Sequence, residues 1–539
     1  MAAHDPQTRI VTLERELQSA NHELESASHR LQSAHHQLQW ANLTIEKRDA
    51  QIRLLEERLR QQRIQVLGPH SETLSDLQLE LLAEVEPSAT AEEVAAEAQR
   101  GPLDESTATK PKRERKRHPG RKPLPANLPR VEQVIVCADQ CCKACGEQTA
   151  IIGYDESQVL DREPAHWFVR VTKREKRACA ACSKKGCASV MMPALAPRIV
   201  EKGLASDRVV IETVVAKYCD HLPLYRQQAM LQREAGVEIS RATLDGWVMR
   251  VGELLMPIIG AMRRDLLREP YLQADETTVP VQMHDKSGAN HQAYLWQYGS
   301  LSNGRGGETV FEFQLGRGRE GPRKFLGEWQ GILQTDGYQA YENIGGAKLI
   351  HVGCWAHARR KFVDAVKVNP KDVEAIHMVT RMDALFLVDR DARQQQMNAV
   401  ERLALRREHA ESWAQEIHDE CVKLRNTTLP KSTLGQAITY TLNQWPKLRR
   451  CFDYAGVELS NNLAENSMRP VALGRKNWLH VGSAKSGPKV AAILSVVESC
   501  RRLGLPVKDY LIAVLPGMAR RNLSEVAHLT PARWAAARG

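Results

Sequence analysis

The sequence has no long apolar run and no apolar segment at its N-terminus. The chain of 539 residues begins with the polar stretch MAAHDPQTRI, and no run of about 18 apolar residues, the length that a membrane-spanning helix needs, occurs in it. Neither secretion nor membrane spanning is therefore expected, and the sequence predicts a cytoplasmic protein without a membrane partner.

The charge balance and the length of the chain indicate what kind of partner it binds and how many domains it has. Lysine and arginine number 75 against 65 acidic residues, a net charge of +10, which favours a polyanionic partner without identifying it. Single hydrophobic cores stop growing at roughly 250 to 300 residues, so several domains are expected.

A seven-residue repeat of aliphatic residues marks the N-terminal region. Its members are Leu17, Leu24, Leu31, Leu38, Ile45, Ile52, Leu59 and Val66. Such a repeat is typical of a coiled coil, and a helix lying on the protein's own body is the alternative. We favour an intermolecular coil within residues 1–83, because an unpartnered seam would leave a long apolar stripe in water.

Residues 84–130 combine a linker rich in Ala, Glu, Ser, Thr and Pro with the basic segment PKRERKRHPGRKPLPANLPR. The prolines oppose a stable helix there, so one interpretation is an extended arm that contacts phosphates, and a solvated linker is the other. The candidate DNA-binding residues of this arm are Lys112, Arg113, Arg115, Lys116, Arg117, Arg121 and Lys122.

Two Cys-x-x-Cys pairs lie within residues 131–200. In a chain without a secretion signal the 12 cysteines are expected to be reduced, which makes close pairs metal candidates. Four thiolates can enclose a structural Zn²⁺ in a closed tetrahedral site, with core thiols as the alternative. The predicted ligands are Cys142, Cys145, Cys179 and Cys182, and further cysteines nearby, Cys137, Cys141 and Cys187, leave the exact set open.

Residues 201–268 have a helical pattern. YRQQAMLQREAG followed by VEISRATLDGWVMRVGELL predicts a helix, a turn at Gly236, an N-cap at Ser240 and a second helix beginning near Arg241. This is a helix-turn-helix pattern, which is also common in plain helical bundles, so DNA reading and simple packing both stay open.

Strand patterns begin after residue 270. Residues 269–368 predict the order β-β-β-α-β-α-β-α, with Asp275 on the first strand and Asp336 at the end of the fourth. In a ribonuclease-H-like sheet these strands lie side by side, so the two carboxylates could share two Mg²⁺ ions. A third carboxylate is then required, and Glu465 is the candidate, in a basic stretch with no other acid before Glu498. Taken alone, each acid could be a solvated turn or cap residue.

The chain resembles the insertion-sequence-66 family of transposases from about residue 60 to about residue 516. The resemblance rests on the two Cys-x-x-Cys pairs and on KYCDHLPLYRQ, SRATLDGWV, ADETTVPV, LQTDGYQAY, GCWAHARRKF and NNLAENSMRPVALGRKNWLHVGS, in this order. It implies a multidomain α+β protein with a coiled coil, a small zinc domain, a helical DNA-binding region and a ribonuclease-H-like core. A helical insertion (369–450) would interrupt that core before its completion (451–516) and a C-terminal tail (517–539).

The same resemblance implies a DDE-type DNA transposase with the triad Asp275, Asp336 and Glu465. It would bind terminal inverted repeats as a homo-oligomer and catalyse magnesium-dependent cleavage and transfer of double-stranded DNA on the bacterial nucleoid, with small proteins of the same element as further partners. The alternatives are a catalytically silent DNA-binding repressor or domesticated remnant, and a ribonuclease-H-like nuclease without joining.

The segment after Asp336 is the least defined part of the pattern. Cys354 and His357 form a Cys-x-x-His pair that could bind zinc together with His351, but no second pair lies nearby, so we favour core packing or local support of the active site. The remaining candidate DNA contacts are Arg241, Arg359, Arg360, Lys361, Arg469, Arg475 and Lys476.

Overall fold

The computed structural model describes residues 6–67, 167–169, 177–178, 190–191, 196–201, 203–283, 290–302 and 305–538. The chain divides into one unit of Met1–Glu86 with Lys176–Gly539 and a second of Pro87–Glu175. The basic arm from Lys112 to Lys122 and the four predicted zinc ligands, Cys142, Cys145, Cys179 and Cys182, lie outside the described residues. None of the helices within the described ranges has the length and apolar character needed to span a membrane.

The first helix, α1 (Pro6–Leu67), has 62 residues and is roughly 90 Å long at 1.5 Å per residue. The heptad side chains that the structure describes face solvent, with Leu31, Ile45 and Ile52 exposed by 75%, 55% and 53%. The side chains of Leu54 and Glu57 are half-buried instead, and Glu57 accepts a hydrogen bond from the backbone N–H of Thr433. Because these positions lie about half a turn from the heptad seam, α1 contacts the body with the opposite face.

Two short strands, β1 (Arg177–Ala178) and β2 (Val190–Met191), pair antiparallel. Three helices follow, α2 (Asp207–Tyr218), α3 (Leu224–Ala235) and α4 (Arg241–Leu266). The turn between α3 and α4 has the local features that the sequence predicts.

Gly236 ends α3 with a φ of 64°, in the left-handed region that glycine tolerates without strain. The hydroxyl of Ser240 accepts a hydrogen bond from the backbone N–H of Thr243 and so caps α4.

A mixed sheet of five strands belongs to the unit of Met1–Glu86 with Lys176–Gly539. Strands β3 (Tyr271–Gln282), β4 (Asn290–Ser302) and β5 (Arg305–Gln314) form an antiparallel meander. Helix α5 (Glu320–Leu326) leads to β6 (Ile332–Gln334) and then β7 (Ile350–Val352), which continue the sheet in parallel. The strand order is β5-β4-β3-β6-β7.

The prediction of a helix between β6 and β7 is wrong. The structure has only a short 3₁₀ turn there, Gln339–Tyr341. Gly337, Asn343 and Gly345 around it adopt φ values of 89°, 54° and 75°, which no right-handed helix contains. The remainder of the predicted order agrees with the structure.

Helices make up the rest of the chain. After α6 (Trp355–Val368), the segment predicted as an insertion forms four helices, and its apolar residues pack with β7 and α6 in a core of their own. The helices that follow return to the sheet. The bounds are α7 (Val373–Gln394), α8 (Ala399–His409), α9 (Glu411–Thr427), α10 (Thr433–Leu448), α11 (Asn462–Trp478), α12 (Gly487–Arg502), α13 (Val507–Val514), α14 (Leu523–Val526) and α15 (Pro531–Ala536).

Helix α12 covers the outer edge of β5. The hydroxyl of Ser495 accepts a hydrogen bond from Phe311 N at 2.8 Å. The hydroxyl of Ser499 accepts from Thr309 N at 2.9 Å and donates to Thr309 O at 3.0 Å. These contacts satisfy backbone groups that an edge strand would otherwise present to other chains.

Candidate active site

The parallel pairing of β3 and β6 brings Asp275 and Asp336 to the same part of the sheet. Gln273 on β3 is opposite Gln334 on β6, and each aspartate follows its glutamine by two residues. Asp275 Oδ1 accepts a hydrogen bond from Glu276 N, and Asp336 Oδ1 accepts one from Tyr338 N, both at 2.9 Å. The two carboxylates are therefore held by their own local backbone.

The two glutamines form a buried polar network beneath these aspartates. Gln273 Nε2 donates to Gln334 Oε1 at 2.9 Å, and the Tyr271 hydroxyl donates to the same oxygen at 2.5 Å. Gln273 Nε2 also reaches Ser460 O at 2.9 Å, and Gln334 Nε2 reaches Glu458 O at 2.8 Å. The network thus joins both strands to the segment that leads into α11.

Asn461 connects that segment to the first aspartate strand. Its side-chain Nδ2 donates to Ala274 O at 3.5 Å, and its backbone N–H donates to Cys354 Sγ at 3.4 Å. Helix α11 begins at the next residue and carries Glu465 in its first turn. Glu465 is therefore placed near Asp275 although 190 residues separate them in the sequence.

Two side chains of α6 approach Glu465. Arg360 Nη2 donates to Glu465 Oε2 at 3.1 Å, and His357 Nδ1 lies 3.6 Å from Glu465 Oε1. The ligand atoms of Cys354, His357 and Glu465 all lie within 4.8 Å of one another.

Burial raises the pKa of the Cys354 thiol to about 12, and the Arg360 guanidinium contacts one oxygen of Glu465. The supporting role of Cys354 and His357 stays a prediction, and a zinc site at these residues stays its alternative.

An acidic cluster, which consists of Asp275, Asp336 and Glu465, affects the protonation of Asp275. Burial, followed by the negative charges of Glu276 and Asp336 and a smaller effect of Glu465, raises the pKa of Asp275 to about 8. Carboxylates that repel one another in a poorly hydrated place are typical ligands of hard divalent cations, which relieve that repulsion. The donor chemistry of these acids therefore suits a hard divalent cation.

Glu276 is a buried acid that the sequence interpretation missed. Its side chain is only 2% exposed, and Arg317 donates to its Oε1 from Nη2 at 2.7 Å and from Nε at 3.1 Å. The Tyr341 hydroxyl donates to its other oxygen at 3.0 Å. Burial raises the pKa of Glu276, while the Arg317 hydrogen bonds oppose that shift.

Only some of the basic residues predicted to contact DNA are available at the surface. Arg359 pairs with Asp383, Arg360 with Glu465, and Arg475 Nη1 donates to Thr277 Oγ1 at 3.2 Å, so these three have roles within the fold. Arg241, Lys361, Arg469 and Lys476 are exposed.

Models of three protein families match the chain. The model described as "Transposase IS66 family" matches residues 202–489, which include all three acids of the cluster. The model "Transposase C of IS166 homeodomain" matches residues 54–132, and "zinc-finger binding domain of transposase IS66" matches residues 139–183. The last match contains both Cys-x-x-Cys pairs and supports a structural zinc.

Proteins of Sinorhizobium fredii (strain NBRC 101917 / NGR234) are similar over most of their length. "Uncharacterized protein y4qI" is 31% identical over 445 residues, covering 80% of this chain and 79% of the relative. "Uncharacterized protein y4hP" is 30% identical over 504 residues, covering 89% and 88%. Their names assign no activity.

Proposed function

The chain belongs to the transposase IS66 family, and from this premise we propose that it cuts DNA at the terminal inverted repeats of its insertion sequence and joins the freed ends to target DNA. Asp275, Asp336 and Glu465 are the proposed catalytic residues and Mg²⁺ ligands. The five-stranded sheet with α11 and α12 is the proposed ribonuclease-H-like core.

The observation that supports this proposal is that acids from distant elements are near enough to influence the protonation of Asp275. Asp275 lies on β3, Asp336 follows β6 and Glu465 lies on α11, and the charges of Asp336 and Glu465 both raise the pKa of Asp275. A hydrolytic or joining step on a phosphodiester needs negative charge neutralised on the attacking and the leaving oxygen, which bound Mg²⁺ supplies.

The chain's own residues prepare the site. The glutamine network joins the strands of the two aspartates, and Arg360 donates a hydrogen bond to the Glu465 carboxylate. Arg317 and Tyr341 hold the carboxylate of Glu276, which is the residue after Asp275 on β3. Its charge therefore stays next to Asp275. The site is thereby arranged before any DNA arrives.

The remaining segments fit the accompanying steps of transposition. We assign end recognition to the helix-turn-helix of α3 and α4 and to the basic arm, structural zinc to Cys142, Cys145, Cys179 and Cys182, and subunit pairing to α1. The insertion of α7 to α10 supports the site from the side of β7, and small proteins of the same element are candidate partners.

An in vitro strand-transfer assay with labelled terminal repeats and magnesium tests the proposal. Asp275→Asn, Asp336→Asn and Glu465→Gln should each retain end binding and lose cleavage and joining, because the metal ligands are removed but the DNA-binding surfaces are not. Glu328→Gln, at an exposed acid after α5, is the matched control and should keep full activity.

The outcomes separate the alternatives. Strand transfer by any of the triad variants would refute the site. End binding without cleavage by the unaltered protein would indicate a silent DNA-binding protein, and cleavage without joining would indicate a nuclease.

A further inference from the structure

An open groove lies along the outer face of α11. It has a volume of about 630 Å³ and lies between α11, the turn after α2 and the end of α12. Apolar side chains of α11 form part of its wall. The polar residues that line it are His221, Asn466, Arg469, Arg501 and Arg502.

The groove is strongly basic. Three of its residues are arginines, and none of the described residues that line it is acidic. Arg469 is exposed, and Arg501 is 53% exposed while pairing with Glu498 below the rim. The groove therefore offers positive charge at its opening, where a polyanion can reach it.

Arg502 in the groove wall has hydrogen-bonding capacity left over. Its Nη2 donates to Ser300 O at 3.0 Å, but its buried Nε and Nη1 have no hydrogen-bond partner within the described part of the chain. Burial lowers the pKa of Arg502 to about 10, because the carboxylate of Glu498 does not compensate it fully. Keeping an arginine charged in a buried place without enough hydrogen-bond partners costs free energy unless an anion comes close.

His221 also lines the groove, from the turn after α2. Its Nδ1 is buried and lacks a hydrogen-bond partner among the described residues. Buried nitrogens of this kind are usually paired with an ordered water where the protein offers no partner. The exposed guanidinium groups are therefore the part of the groove that an anion can reach.

The groove begins next to the acidic cluster. Asn466 directly follows Glu465, and Arg469 lies one helical turn further along α11, which is roughly 6 Å along the helix axis. A strand of DNA whose reacting phosphate lies at Glu465 would therefore pass its neighbouring phosphates over this face of the helix.

We propose that this groove binds a backbone phosphate of the transposon-end DNA beside the one that reacts. The proposal rests on the proposed function and adds to it a phosphate site in which Arg469 and Arg501 make the contacts and Arg502 supplies buried charge. Backbone contacts of this kind fix the position of DNA without reading its sequence.

The experiment compares the salt dependence of DNA binding for the full chain and for Arg469→Gln, Arg501→Gln and the double variant. Each lost phosphate contact should make the slope of log affinity against log salt concentration shallower by about 1. The loss should be equal for a duplex with the terminal repeat and for an unrelated duplex of the same length. Arg425→Gln, at an exposed arginine on α9, is the matched control and should leave the slope unchanged.

A second measurement distinguishes DNA from a free anion. Arg502→Lys keeps the buried charge and should keep the slope of the unaltered protein, whereas Arg502→Gln removes the charge and should weaken DNA binding; unfolding temperatures verify that both variants fold. Unchanged slopes for Arg469→Gln, Arg501→Gln and the double variant, while the unaltered protein still performs strand transfer, would overturn the phosphate site and leave the proposed function intact. Stabilisation by inorganic phosphate that the variants lose, without any change in DNA binding, would also overturn it and assign the groove to a free anion.

Discussion

The protonation of Asp275 is strongly affected by its surroundings in the candidate active site. It lies beside Glu276 and within the influence of Asp336 and Glu465, and burial limits the water that could solvate its charge. In the absence of a cation its carboxyl group keeps a proton over much of the physiological pH range. Ionising this carboxyl group in the folded protein therefore costs free energy, and magnesium binding would remove that cost.

The pH dependence of stability tests this at Asp275. The pKa of about 8 in the folded protein exceeds the usual 3.8, so the stability associated with the neutral carboxyl is complete below about pH 4 and is lost as the pH rises to about 8. Asn does not titrate, so Asp275→Asn should be more stable than the unaltered protein at pH 8 by on the order of a few kcal/mol. The difference should be much smaller at about pH 5. Denaturant unfolding in the presence of a chelator measures it, and an equal difference at both pH values would contradict the assignment.

Some residues of the candidate site could be predicted from the sequence and others could not. The three acids were found because each follows or precedes a local pattern of strand or helix. Gln273 and Gln334 were missed although the sequence repeats LQAD and LQTD, in which a glutamine stands two residues before each aspartate. The functional meaning of the repeat depends on the pairing of β3 with β6, which no local pattern reveals.

At the scale of elements, α10 holds the turn that carries Asp336. The Tyr440 hydroxyl donates to Asp336 O at 2.6 Å. Gly337 follows with a φ of 89°, and a Cβ atom there would lie 2.7 Å from the side chain of Gln444. Helix α10 therefore takes part in shaping the candidate active site.

Gly337→Ala tests this contact between α10 and the turn. Both the left-handed backbone and the contact with Gln444 oppose a Cβ atom, so we expect a loss of stability of about 2 to 4 kcal/mol and reduced strand transfer. Adding Gln444→Ala should recover the steric part of the loss but not the backbone part. Denaturant unfolding of both single variants and the double variant measures the two parts. An alanine variant as stable as the unaltered protein would exclude this account.

The inserted helices also contain a buried ionic network that sequence reasoning did not find. Arg406 Nε donates to Asp389 Oδ1 at 2.7 Å, and Arg402 Nη1 donates to Glu458 Oε1 at 3.3 Å. Along the chain these charges look like the solvated faces of α7 and α8. Their burial follows from the packing of α7 and α8 against the segment before α11, so it could not be predicted from spacing alone.

For the whole molecule, the position of α1 favours pairing of two chains. The contact with the body uses the face of Leu54 and Glu57, so the heptad seam remains exposed along the described side chains. A coil built on this seam would join two subunits without removing α1 from its own body. Two active sites would then be available for the two ends of one element.

Ile45→Lys combined with Ile52→Lys tests the seam. Two charges at exposed heptad positions should prevent the coil and convert the full chain from a dimer or larger assembly to a monomer, without changing its fold. Gln51→Lys, at an exposed position beside the seam, is the matched control and should keep the assembly. Sedimentation equilibrium measures the mass, and an unchanged mass for the double variant would exclude pairing through this seam.

The covering of β5 by α12 has a consequence for the fate of damaged copies of the element. A frameshift or stop codon before residue 487 would remove α12 and leave the N–H groups of Thr309 and Phe311 unpaired at the edge of the sheet. Open edges of this kind recruit strands from other molecules, so the shortened product should aggregate. A decayed copy would then not accumulate as a folded competitor for the transposon ends, and intact copies in the same cell would remain uninhibited by it.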